Sequence, residues 1–138
     1  MLADSFLAGT DFEEICWDIV ENVISQLDFE DCVIYKLEEK SLVQVAAMGN
    51  KTKRRRVLKD TMKIPIGQGI VGAVAKSGKA LLVEDTSVDE RYIVDDEKRL
   101  SEVAVPIKLG RKIWGVIDSE NERKGFFTDL HLRVLMTI

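Results

Sequence analysis

Thiols and imidazoles are scarce in this 138-residue chain, which holds two cysteines, Cys16 and Cys32, and one histidine, His131. The cysteines form no Cys-x-x-Cys pair, so neither a disulfide framework nor a structural zinc site is supported, and a reducing, cytoplasmic setting is expected. A single histidine removes the usual general base and the commonest transition-metal ligand, which argues against hydrolytic or metal-assisted catalysis; no metal site is expected. No apolar run reaches the roughly 18 to 20 residues that a membrane-spanning helix needs, and Asp4 follows Met1 too closely for a secretion signal. The length excludes a second folded domain. What is present is 46% apolar and 32% charged residues, enough for one core. The net charge of −4 is uneven, because residues 51–63 carry seven Lys or Arg against one Asp.

Phe12, Ile15, Cys16, Ile19, Val20, Val23, Ile24 and Leu27 recur at helical spacing on one stripe, and Thr10 with Glu13 reads as a capping box. Trp17 lies off the stripe, where an aromatic meets solvent unless another surface covers it. Two apolar runs, 32–37 and 42–48, predict a hairpin closed by Gly49-Asn50. Residues 62–66 alternate as a strand that Pro65 assigns to an edge or bulge. A short helix of small residues over 69–76, stopped by Gly78, precedes a strand at 80–83. Residues 84–100 are charged and turn-rich, with Tyr92, Ile93 and Val94 as the apolar anchors. Strands at 103–109 and 112–118 join through Gly110-Arg111, and Thr128 caps a last helix that carries Leu130, Val134, Leu135 and Ile138. The chain stops inside that helix, so it is expected to be cut from a longer protein. Paired strands without βαβ units predict an α+β class with a mostly antiparallel sheet.

Gly67-Gln68-Gly69-Ile70-Val71-Gly72 is a literal G-x-G-x-x-G with Asp85 at the end of the following strand. Such a loop places backbone N–H groups at a pyrophosphate, which keeps a small nucleotide-dependent enzyme as an alternative. Flanking hairpins and Pro65 argue instead for a tight turn and close helix packing. The basic residues Lys51, Lys53, Arg54, Arg55, Arg56 and Lys59 lack interleaved aromatics, so they read as a solvated loop or short helix and not as a nucleic-acid surface.

Several segments in register carry a resemblance: Ile64-Pro65-Ile66-Gly67-Gln68-Gly69-Ile70-Val71-Gly72, Lys79-Ala80-Leu81-Leu82-Val83-Glu84-Asp85, Asp89-Glu90-Arg91-Tyr92, Ser101-Glu102-Val103-Ala104-Val105-Pro106-Ile107 and Trp114-Gly115-Val116-Ile117-Asp118-Ser119-Glu120. Together they resemble a GAF domain, over nearly the whole chain as a single domain, 1–138. The resemblance implies a central antiparallel sheet of five or six strands, terminal helices on one face, and a pocket on the other under the short helix and the long loop. It also implies a sensory or regulatory module, attached to an output domain such as a kinase, cyclase, phosphodiesterase or transcription regulator.

Within the family, the free methionine sulfoxide reductase branch is similar across the same motifs but needs cysteines near Val71 and Asp95, and without a thiolate its chemistry does not run. The bilin and cyclic-nucleotide signatures do not fit. Cys16 and Cys32 are expected to be buried structural residues, and His131 a surface residue.

Alternation puts Trp114, Val116, Asp118 and Glu120 on one strand face. Glu102 and Asp118 match acidic ligand-contacting positions of the reductase branch, so the small-molecule site is expected at Tyr92, Glu102, Val103, Val105 and Asp118. Homodimerisation is expected through Trp17, Leu130 and Val134. The sequence thus predicts a non-catalytic sensory domain that binds a small molecule of unspecified identity, dimerises, or both, with no cofactor named; a purely structural dimerisation module is the other alternative.

Overall fold

The computed structural model describes residues 11–59, 61–94 and 97–138. Helix α1, Phe12–Asn22, buries Phe12, Ile15, Cys16, Ile19 and Val20, the first five residues of the predicted stripe; it stops short of the expected end, with Val23 exposed at its C-cap and a 3₁₀ turn, Ile24–Gln26, returning Ile24 to the core. Burial of each such large apolar side chain is worth about 1.5–3 kcal/mol before ordering costs. Asp11 stands at the N-cap without a side-chain cap bond. The expected cap Thr10 lies outside the described residues.

Strands β1 (Cys32–Glu38) and β2 (Ser41–Met48) form the first hairpin, and β3 (Thr52–Arg54) and β4 (Val57–Leu58) form a second, separate one. This corrects the expectation of a solvated loop or short helix for the basic segment. Arg56 turns the chain at φ 56°, where Glu21 and Asp18 of α1 hold its guanidinium at 2.8 and 2.9 Å. Strand β5 (Lys63–Pro65), helix α2 (Gly69–Ser77), β6 (Leu81–Val83), β7 (Ser101–Leu109), β8 (Lys112–Asn121) and helix α3 (Asp129–Met136) follow.

The main sheet runs β5-β2-β1-β8-β7-β6, antiparallel throughout. Pro65 lies on an edge strand, where its missing N–H costs no ladder bond. The sheet divides two apolar layers. Ile34, Val103, Val105 and Ile117 face α1 and α3, and Val33, Tyr35, Ala104 and Val116 face α2. The α+β architecture with terminal helices on one face and the short helix on the other is as the sequence predicts.

Thr128 caps α3 in a reciprocal box with His131, whose ring stacks on Phe126 at 5.4 Å. His131 is therefore half-buried rather than simply on the surface.

Alternation fails at one point of β8. Pairing shifts between Ile107 opposite Gly115 and Lys108 opposite Ile113, so Trp114 is the extra residue of a bulge. Its ring turns to the α1 side and stacks on Phe12 at 6.1 Å, away from Val116 and Asp118.

Candidate functional site

Between the sheet and α2 lies a cleft lined by Tyr35, Met62, Ile64, Gly69, Ile70, Val71, Ile93, Glu102, Asp118 and Glu120. It encloses about 280 Å³ with its open mouth included. Its polar floor follows from register. Glu102 on β7 stands opposite Glu120 on β8, and Asp118, two residues before Glu120, shares its face. The three side chains are each at most 5% exposed and bring one oxygen apiece within 4.8 Å of the others. Opposed like charges at such spacing destabilise a sheet, so the cluster holds protons.

Burial, reinforced by the neighbouring carboxyls, raises Glu102 to about 8 and Glu120 to about 9. Burial and the adjoining Glu102 also push Asp118 well above the usual carboxylate range. Glu102 and Asp118 hydrogen-bond to each other, yet Asp118 Oδ1 is buried without a hydrogen-bond partner.

Two supports fix this floor. Asp31, just before β1, accepts from the Glu120 backbone N–H at 2.7 Å and from Lys51 Nζ at 2.6 Å, with the Arg99 guanidinium 3.3 Å away. Lys51, read in the sequence as part of a solvated basic segment, is thus a buried ion-pair partner. On the other side, the loop after β6 delivers Tyr92, whose hydroxyl donates to Glu120 at 2.6 Å and accepts from the Arg99 backbone N–H at 2.9 Å. Burial raises the Tyr92 phenol above its ordinary value, so it remains a donor.

Helix α2 approaches because its glycines allow it. A Cβ on Gly72 would sit 2.8 Å from the Pro65 carbonyl oxygen, and Gly69, at φ 69°, packs beneath Ile93. The Gly67 N–H bonds to the Gly72 carbonyl at 2.9 Å. In an antiparallel sheet with that amide consumed, the glycine motif serves packing, and the nucleotide-enzyme alternative is withdrawn.

Of the expected site residues, Glu102, Asp118 and Tyr92 converge at the cleft. Val103 and Val105 face the α1 side of the sheet, because they alternate with Glu102, and they leave the candidate set. Tyr35, Met62, Ile64 and Ile93 were missed, since the tertiary fold, not a local pattern, brings them together. Cys16 and Cys32 lie in the core beneath α1, opposite the cleft. Burial pushes Cys16 up to about 12 and Cys32 well above its ordinary value. We therefore expect native protein at pH 8 to leave both thiols unlabelled by an aromatic disulfide reagent over minutes, with two equivalents reacting after denaturation; rapid native labelling would place a thiol at the surface.

A profile described as GAF domain matches residues 11–138. The chain belongs to the GAF domain family.

Similar proteins include YtsP of Bacillus subtilis, 31% identical over 74 residues, which are 54% of this chain and 45% of that one. The free methionine-R-sulfoxide reductase of Escherichia coli is 31% identical over 68 residues, 49% of this chain and 41% of its own. This GAF chain thus matches less than half the length of these relatives. The structure of the Staphylococcus aureus free methionine-R-sulfoxide reductase in its reduced form superposes with a TM-score of 0.67 at 26% identity, covering 79% of this chain and 66% of that one. These relatives overturn the expectation of a non-catalytic sensory domain, because the proteins that this chain is similar to include reductases. Among the described residues no helix is long and apolar enough to cross a membrane.

The carboxyl floor of this GAF domain carries a pH signature. Glu102 and Glu120 bind protons more tightly folded than unfolded, so their contribution to stability is complete below the unfolded value near 4.5 and is lost as pH rises through about 8 and 9. Stability therefore falls as pH rises between those limits. Urea unfolding from pH 5 to 9 should show the decline, and Glu120→Gln should flatten it; a flat wild-type profile would contradict the assignment.

Proposed function

We propose that the cleft is the substrate site for a reductase-type reaction on a free amino acid of the methionine-R-sulfoxide class. The observation that carries this reading is the buried, proton-holding trio Glu102, Asp118 and Glu120, with one carboxylate oxygen of Asp118 unpartnered, at the floor of an otherwise apolar cleft. Kinship to the Escherichia coli reductase supports it.

A zwitterionic amino acid brings an ammonium that carboxylate oxygens accept, a carboxylate suited to the unpaired amides of a helix N-terminus, and a sulfoxide oxygen that takes a proton. Gly69, Ile70 and Val71, the first turn of α2, line the cleft beside the carboxyls. Reduction consumes two thiols per sulfoxide and yields sulfide, disulfide and water. A protonated carboxyl at the sulfoxide oxygen supplies the acid for that loss of water. The thiols come from outside the cleft, because Val71 lines it and both cysteines lie behind the sheet.

The test is turnover of L-methionine-R-sulfoxide with dithiothreitol as reductant, followed by the appearance of methionine. A rate above the uncatalysed one, greater for the R than the S epimer and reduced at least tenfold in Glu120→Gln, is expected. A rate equal to background, together with no saturable binding of either epimer, would overturn the reading.

We also infer a homodimer through α1 and α3, supported by Leu130, which is 67% exposed, and by half-buried Trp17 and Val134 on the same side of the sheet. Sedimentation at tens of micromolar should show dimer that Leu130→Glu dissociates; monomer at all concentrations would contradict it.

A further inference from the structure

We propose that Glu102, Asp118 and Glu120 form a binding site for one hard divalent cation, calcium by size. The proposal stands on the geometry of the cluster and does not require the reductase reading.

Three observations carry it. The donors are all carboxylate oxygens, the ligand type that hard cations take. One oxygen from each lies within 4.8 Å of the others, and oxygens about 2.3–2.6 Å from a calcium ion are separated by up to roughly twice that distance. Magnesium demands a near-ideal octahedron and gives up its waters reluctantly, which suits a dry site of three carboxylates less well. All three carboxyls line the cleft, whose open mouth gives an ion access.

The second, independent sign is Asp118 Oδ1. It belongs to a side chain 3% exposed and has no hydrogen-bond partner in the described structure. A buried carboxylate oxygen left bare is costly, and a cation would satisfy it.

Charge favours a cation. Four carboxyls, those of Asp31, Glu102, Asp118 and Glu120, interact with one another here, while Lys51 binds Asp31 and Arg99 is shared among Asp31, Glu30 and Glu97. When ionised the group carries more negative than positive charge, and a divalent ion offsets that excess. Its binding displaces the protons that the cluster otherwise holds. The same oxygens would meet the ammonium of an amino acid, so calcium and amino acid exclude one another.

Calorimetric titration of calcium chloride into the full chain at pH 8, with no amino acid present, tests the site. One equivalent bound in the wild type, no heat of binding in Asp118→Asn, and at least tenfold weaker binding of magnesium are expected. Thermal unfolding provides a second readout: 10 mM calcium should raise the wild-type melting temperature by several degrees and that of Asp118→Asn by less than one. Circular dichroism of the variant establishes that it is folded. No heat and no thermal shift in the wild type, or equal effects in both proteins, would overturn the proposal. Because no amino acid is used, failure here leaves the substrate reading standing, and success does not establish it.

Discussion

Asp118→Asn is expected to stabilise the free protein while removing its capacity to bind. Asp118 sits between β1 and β7, 3% exposed, opposite Val33 on one side and Ala104 on the other. Its carboxyl faces Glu102 with one oxygen unpartnered, so the fold carries a desolvated acid whose polar atoms are only partly satisfied. Asparagine keeps the shape, has no acid to desolvate and offers an N–H₂ to Glu102. Apart from the ligand, unfolding in urea at pH 8 should become harder by about 1–2 kcal/mol, the range for relieving an unsatisfied buried group. The same change removes an acceptor that meets a cationic ligand in a dry site. Affinity for an amino-acid sulfoxide should fall by about 100-fold or more, roughly 3 kcal/mol, as for a lost hydrogen bond to a charged partner. A loss of stability above 1 kcal/mol would instead mean that this carboxyl is structural.

Gly115→Ala should cost the fold about 3 kcal/mol or more, the largest effect expected from adding one methyl group. Gly115 lies opposite Lys36 where β8 pairs with β1, next to the bulge at Trp114. The Tyr35 carbonyl oxygen occupies the place a Cβ would take, and both groups belong to central strands that cannot separate without breaking the ladder. Gly110, with φ 63° in the β7–β8 turn, provides the comparison. Nothing lies within 4 Å of its missing Cβ, so alanine there meets only backbone strain, about 1 kcal/mol. Guanidinium unfolding of the two variants side by side separates steric from conformational cost. Equal losses would contradict the close approach.

Much of the fold was legible because local rules and tertiary context agreed. The first five residues of the α1 stripe, the edge position of Pro65, the Gly78 stop after α2 and the Thr128 cap each depend on a few neighbouring residues, and each stands where the sequence placed it, whereas Val23, Ile24 and Leu27 fall beyond the end of α1. Trp114 was misplaced because a bulge in the β7–β8 pairing breaks period two, and its only local sign is the adjacent Gly115. Lys51 was read with its basic neighbours, yet its partner Asp31 is 20 residues earlier and meets it only after β1 and β2 have paired. For the site, Glu102 and Asp118 were available by resemblance and Glu120 by alternation. Val103 and Val105 were included although the same alternation, applied to β7, sends them to the opposite face. The reductase kinship was set aside on the missing cysteines; the comparison restores the kinship without moving Cys16 or Cys32 to the cleft.

The central claim is that the cleft between the sheet and α2, floored by three carboxyls, takes a free amino-acid sulfoxide. Titrating L-methionine-R-sulfoxide into isotopically labelled protein, with backbone amide shifts as the readout, locates any binding directly. Saturable shifts concentrated at Gly69, Ile70, Val71, Tyr92, Glu102 and Glu120, absent in Asp118→Asn, are the predicted result. Unchanged spectra, or shifts confined to residues outside that cleft, such as Trp17, Met48 and Arg55 on the α1 side, would contradict it.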